Sequence, residues 1–177
     1  RISFLDCAAV GVQDMGGGGF GYGFHTYASQ NILYRRCNAY NGRHNFSNQK
    51  AMSSMVVFTR CCSFKTPNVP NSDQDDTHTS YSHAILWDAL RQTGGVGLEA
   101  VNRGTVSPLA YETFGGGAVW NLYGDGNTSN IEAGKVQLSP ATYGYGDAQV
   151  IGVWGGHQVY DGSSASNGYR TGVHMTN

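Results

Sequence analysis

The sequence predicts an all-β protein, a parallel β-helix in which about five or six coils of chain stack on one another. Three observations point there. Gly makes up 26 of 177 residues while Pro is only 4 and charged residues only 13%; Lys, Glu and Leu are scarce, and β-branched, aromatic, Ser and Asn residues abound, which favours strands joined by polar turns. The pattern apolar-x-aromatic-x-x-Cys occurs three times, as ISFLDC (2–7), ILYRRC (32–37) and VVFTRC (56–61). The steps between the cysteines, 30 and then 24 residues, are unequal although the strand is constant, so the variable part is loop.

Aligned on their cysteines, the copies form columns. Ile2, Ile32 and Val56 share one, Phe4, Tyr34 and Phe58 the next, Asp6, Arg36 and Arg60 a polar one, and Cys7, Cys37 and Cys61 the last. Strict strand alternation puts residues i, i+2 and i+4 on one face. The spacing i, i+2, i+5 therefore needs a bend of one residue after the aromatic, which turns the apolar residue, the aromatic and Cys inward and leaves the charge at a corner. A coil turning a corner needs such a bend; a flat strand does not. Three unrelated strands of a sandwich are the alternative.

Weaker copies follow. HAILWDALRQ (83–92) aligns with Leu86 in the aromatic column and Ala89 in the Cys column, and GAVWNLYGDG (117–126) offers Ala118, Trp120 and Tyr123. QVIGVWGGH (149–157) reads as another strand. Residues 1–177 read as a single domain whose part from 134 to 177 forms less regular coils. Arg1 opens inside a strand-like run, so the expectation is a piece of a longer chain or of an assembly. GGGGFGYGF (16–24) lacks the Lys-Ser/Thr of a phosphate loop and reads as a loop.

Composition also excludes. A net charge of −1 offers no cationic field for nucleic acid, and no apolar run reaches the length of a membrane-spanning helix. Low charge with many Gly, Asn, Ser, Thr and Tyr residues suits an extracellular or cell-surface protein that faces sugars. The four cysteines fit no zinc spacing. Cys7, Cys37 and Cys61 read as small core residues, although neighbouring coils are close enough for a Cys37–Cys61 disulfide.

The strand repeats, the NGRHNF turn (41–46) and the segments DQDDTHTSYSHAILWDAL (73–90) and EAVNRGTVSPLAYETFGGGAVWN (99–121) resemble a right-handed parallel β-helix of the pectate-lyase-like superfamily. The resemblance implies binding or cleavage of a polysaccharide by elimination or hydrolysis; the superfamily also holds tailspikes and non-catalytic structural members.

Stacked coils bring distant residues side by side, so the expected groove is lined by Arg43, His44, Asp76, His78, His83, Asp88 and Arg103. A lyase needs a base, a cation facing the uronate carboxylate and a donor to the leaving oxygen. His44, His78 or His83 is the easiest base at neutral pH. Asp73, Asp75 and Asp76 offer hard oxygens to Ca²⁺, or form a solvated acidic turn. A hydrolase would instead pair two carboxylates, with Asp76 and Asp88 as candidates. His44 and Asn45 have a structural alternative, hydrogen bonds between neighbouring coils. Sequons place candidate N-glycans at Asn45 and Asn127. The expected partner is a polysaccharide, without nucleic acid or membrane insertion. A fibre or adhesive subunit, associating end to end or laterally with copies of itself, and a sugar-binding module without turnover are the other readings.

Overall fold

The computed structural model describes residues 1–12, 21–49, 53–66, 74–78, 82–94, 96–100, 117–124, 135–138, 149–155 and 158–160. Across these residues the chain is all-β, without a helix. Strands β1 (Ile2–Leu5), β4 (Gln30–Arg35), β7 (Ser54–Thr59), β10 (His83–Asp88), β13 (Ala118–Gly124) and β15 (Gln149–Gly155) pair in that order. Strands β2 (Ala8–Ala9), β5 (Asn38–Tyr40), β8 (Cys62–Phe64) and β11 (Arg91–Thr93) form a second row, which joins the first on β13 to complete a ten-stranded sheet. A six-stranded sheet holds β3 (Tyr22–Tyr27), β6 (His44–Gln49), β9 (Asp75–His78), β12 (Leu98–Ala100), β14 (Lys135–Leu138) and β16 (Gln158–Tyr160). Every pairing is parallel. From β1 to β10 each strand pairs with the strand three places on, an architecture compatible with a parallel β-helix.

The register explains the repeat. Ile2 stands against Ile32 and Ile32 against Val56; Phe4 stands against Tyr34 and Tyr34 against Phe58. Parallel spacing places like rings flat on one another. Phe4 and Tyr34 stack at 5.0 Å, Tyr34 and Phe58 at 4.9 Å, and Phe58 and Trp87 at 4.1 Å, all within 10° of parallel. Each such pair contributes about 1 kcal/mol beyond its burial. A second aromatic pair, Phe24 on Phe46 at 5.3 Å, reaches this ladder from the other sheet through an edge contact of Phe46 with Phe58.

The corner is built as the spacing demands. Asp6, Arg36, Arg60, Ala89 and Asn121 all have φ between 49 and 55°, and Gly152, their equivalent on β15, has φ 69°. One left-handed residue per strand shifts the alternation by one, so the residue after it faces inward. That residue is Cys7, Cys37, Cys61, Leu90 or Leu122, and the last four are buried. The amide nitrogen following each Cys donates to the carbonyl of the Cys one rung earlier: Asn38 to Cys7 at 2.9 Å and Cys62 to Cys37 at 3.0 Å. All four cysteines are free thiols. Burial pushes the Cys61 thiol up to about 12.

The fourth and fifth copies lie one residue off the alignment expected from sequence. Trp87, not Leu86, stands against Phe58, and Leu90, not Ala89, follows the left-handed corner. On β13 the inward residues are Val119 and Leu122, while Trp120 and Tyr123 are exposed. A second left-handed row, Asn31, Met55 and Ala84, just before the first apolar column sets this phase. The stretch 16–24, read as loop, contains the start of β3 at Tyr22.

Candidate functional site

Strand β6, HNFSNQ, is buried on both faces. Phe46 supplies the apolar core, but the rest of the strand is polar and must be satisfied by neighbours. Asn45 does so at the turn. Its amide nitrogen donates to Ser63 Oγ and to the Phe64 carbonyl, both at 3.0 Å, and its oxygen accepts from the Gly42 amide at 2.8 Å. The nitrogen that would carry a glycan is thereby committed within the fold; Asn127 lies outside the described residues. Gly42 and Gly23 crowd the same turn: a Cβ at Gly23 would stand 2.6 Å from the Asn45 carbonyl oxygen.

On the face opposite Phe46, His44 and Ser47 meet Asp76 of β9. Ser47 pairs with Asp76 in the register, and its hydroxyl donates to Asp76 Oδ1 at 2.5 Å. Asp76 Oδ2 lies 3.6 Å from His44 Nδ1. That same nitrogen lies 2.5 Å from the Gln74 carbonyl. A carbonyl only accepts, so Nδ1 carries a hydrogen. Tyr22 stacks on His44 at 5.1 Å and on His25 at 4.5 Å, His25 meets Tyr27 edge-on at 5.6 Å, and Gln49 donates to the Tyr22 hydroxyl at 3.0 Å. His44 and Asp76 have side-chain exposures of 0 and 1%, whereas Tyr27 is 54% exposed. The outward row is therefore aromatic, with an imidazole–carboxylate pair beside it.

Asp75, next along β9, bonds to a different set of groups. It takes a core position in the register between Phe46 and Leu98. Its Oδ1 accepts from the Phe46 amide at 2.9 Å and from Ser63 Oγ at 3.1 Å, and its Oδ2 accepts from Gln92 Nε2 at 2.7 Å. Burial raises its carboxyl to about 6, against the opposing pull of Gln92, Lys65, the Phe46 amide and Ser63. Lys65 is itself buried and donates to the Arg43 carbonyl at 2.6 Å.

Of the residues expected to form one groove, the structure gathers His44 and Asp76, with Arg43 on the turn just before His44. His78 shares β9 and pairs with Gln49. His83 and Asp88 bracket β10 in the ten-stranded sheet: His83 is exposed there, and Asp88 accepts from Thr59 Oγ1 at 2.6 Å. Arg103 and Asp73 lie outside the described residues. DQDD is not a solvated turn where it is described: Asp75 and Asp76 are both buried strand residues. They bond to different groups rather than converge, and among the described residues no group of three His, Cys, Asp or Glu is arranged to hold a metal ion. Sequence reasoning passed over Tyr22, His25, Tyr27, Ser47 and Gln49. The alternation of FHTY (24–27), with Phe24 and Thr26 inward, was the available signal for His25 and Tyr27.

No protein-family model, curated protein or solved structure matches this chain. Its function must be read from the site.

Proposed function

We propose that the chain coils as a right-handed parallel β-helix of the pectate-lyase-like kind, works outside the cell, and binds a polysaccharide along β3, the edge strand of the six-stranded sheet. One observation carries the reading: the row Tyr22, His25 and Tyr27, held by ring contacts and by the Gln49 hydrogen bond. Sugar rings are recognised by flat aromatic faces flanked by a few fixed polar groups. The complete burial of His44 and Asp76 supports binding without turnover over lyase or hydrolase action, because an acid–base group must come within hydrogen-bond reach of its substrate. Here the pair positions Tyr22.

The test is titration with a panel of neutral and uronate-containing oligosaccharides, with product release followed in parallel. Tyr27→Ala and Tyr22→Ala are expected to weaken binding about tenfold or more, the loss of one stacking contact. Binding unaffected by either substitution would refute the platform. Product that disappears in His44→Gln would establish catalysis instead.

The reading as a fibre or adhesive subunit has its own observation. On β1, Ile2 and Leu5 are 55 and 51% exposed. They stand in columns that, one rung on, continue through Ile32 and Arg35. A further rung of chain stacked there would cover them, and electron microscopy of the purified protein showing regular filaments would support this reading.

A further inference from the structure

The interior of the coils carries polar side chains that the fold leaves without protein partners. Strand alternation from Phe24, Phe46 and Asp75 turns Thr26, Asn48 and Thr77 inward, and the register stacks these three in one column. The column faces the aromatic stack of the ten-stranded sheet, because Thr26 Oγ1 lies 2.9 Å from the Tyr34 hydroxyl. Asn48 follows Thr26 by one rung as Phe58 follows Tyr34, and Thr77 and Trp87 come one rung further on. Trp87 therefore stands to Thr77 as Tyr34 stands to Thr26. Asn48 and Trp87 are 0% exposed and Thr77 is 1% exposed.

Thr26 and Tyr34 satisfy one another directly, since a hydroxyl can both donate and accept. The next two rungs do not repeat this. Phe58 has no polar atom to offer the Asn48 amide, and the indole of Trp87 holds its donor at Nε1, where Tyr34 carries a hydroxyl. Among the described residues no group bonds to Asn48 Nδ2 or Oδ1, to Thr77 Oγ1 or to Trp87 Nε1. Burying a polar group without a partner is costly, so native interiors supply one from the protein or from ordered solvent.

We infer that the coil encloses a binding site for ordered internal water, held by Asn48, Thr77 and the Trp87 indole. The inventory of donors and acceptors selects that ligand. Trp87 Nε1 and Asn48 Nδ2 only donate, so the occupant must accept; Asn48 Oδ1 only accepts, so the occupant must also donate. A metal or ammonium cation has no lone pair for the indole, and a halide has no hydrogen for the amide oxygen. Neither column supplies a charged side chain to neutralise an ion: the polar one continues into Ala100 and the aromatic one into Val119. A buried water makes about three hydrogen bonds, one for each of these side chains. The site lies inside the coil and stands apart from the polysaccharide reading.

The experiment is an atomic-resolution crystal structure of the full chain, paired with oxygen-17 relaxation dispersion of water in solution, which counts long-lived internal waters. A density peak is expected within about 2.7–3.2 Å of Trp87 Nε1 and of Asn48 or Thr77. The double variant Asn48→Leu, Thr77→Val puts apolar groups of similar shape in their place. It should lose the peak and lower the dispersion amplitude by the share of at least one water. Thr26→Val, whose hydroxyl already bonds to Tyr34, should leave peak and amplitude as in the parent. A dry parent site, or Trp87 Nε1 bonded directly to a protein group, overturns the inference, and this holds even if the double variant fails to fold. An unchanged amplitude in a folded double variant overturns it too. An equal fall in Thr26→Val would mean general loosening and likewise overturns it. An anomalous signal at the site after a rubidium or bromide soak overturns the neutral ligand.

Discussion

The two sheets share one geometry and fill it in opposite ways. In the ten-stranded sheet the columns that begin with Ile2, Phe4 and Cys7 are apolar from rung to rung, and the rings of Tyr34, Phe58 and Trp87 lie flat on one another. In the six-stranded sheet the column that begins with Phe24 and Phe46 continues with Asp75 before returning to Leu98. Parallel stacking rewards like on like, because each side chain meets its own kind at strand spacing. A carboxylate breaks that ladder and survives only by gathering donors from two other strands and the next rung. The contrast separates the part of the molecule that holds the coils together from the part that departs from the repeat, and the aromatic surface row lies on the departing side.

Substitutions in the two columns can sharpen or break the contrast. The largest effect is expected for Trp87→Ala, which removes a fully buried ring from the end of the aromatic stack, where it lies flat on Phe58. It should cost about 3–5 kcal/mol in denaturant unfolding. Asp75→Ala comes next, at about 2–4 kcal/mol in the same measurement, because it removes the acceptor of the Phe46 amide and of the Ser63 hydroxyl and leaves Gln92 with the Gly97 carbonyl alone. If it cost nothing, the polar column would be incidental.

A smaller effect concerns acid. The Asp75 carboxyl sits at about 6 in the folded chain against an ordinary 3.8. Between those values the folded state binds the extra proton, so stability is highest below about pH 4 and falls as pH rises to about 6. Unfolding curves across this window should show a loss of about 2–3 kcal/mol from this group, and Asp75→Asn should flatten them. Smallest of all, Ala89→Gly should change stability by less than about 1 kcal/mol. It relieves a left-handed φ of 49° but loosens the unfolded chain, and Gly152 already occupies the equivalent place. A large loss would mean that the corner depends on more than backbone conformation.

The repeat was legible because its signal is chemical identity in column: Ile, ring and Cys recur, and the register places them as their spacing implies. The phase of the later copies was not. Leu86 and Ala89 fit the pattern as written, but so do Ile85, Trp87 and Leu90, and the left-handed residue Ala84 that selects the second set is silent in sequence. Ala118, Trp120 and Tyr123 match the repeat by spacing, yet on β13 the interior is filled by Val119 and Leu122. The meeting of His44 with Asp76 was foreseeable once coils were assumed to stack. The fate of Asp75 was not, since a carboxylate in a core column runs against the ordinary burial of Asp. Stacking of coils alone groups His83 and Asp88 with the others, but it does not say which sheet each joins, and both lie on β10 of the ten-stranded sheet.

The file of thiols has a practical consequence. Cys7 is partly open to solvent, Cys37 is closed, and Cys61, third in the file, is both closed and held protonated. An alkylating reagent added to the native protein will therefore modify them in that order, the first at once and the last only when the strands above or below it part. Timed mass spectrometry of the adducts would turn three atoms of sulfur into a clock for how far the stack frays from the β1 side.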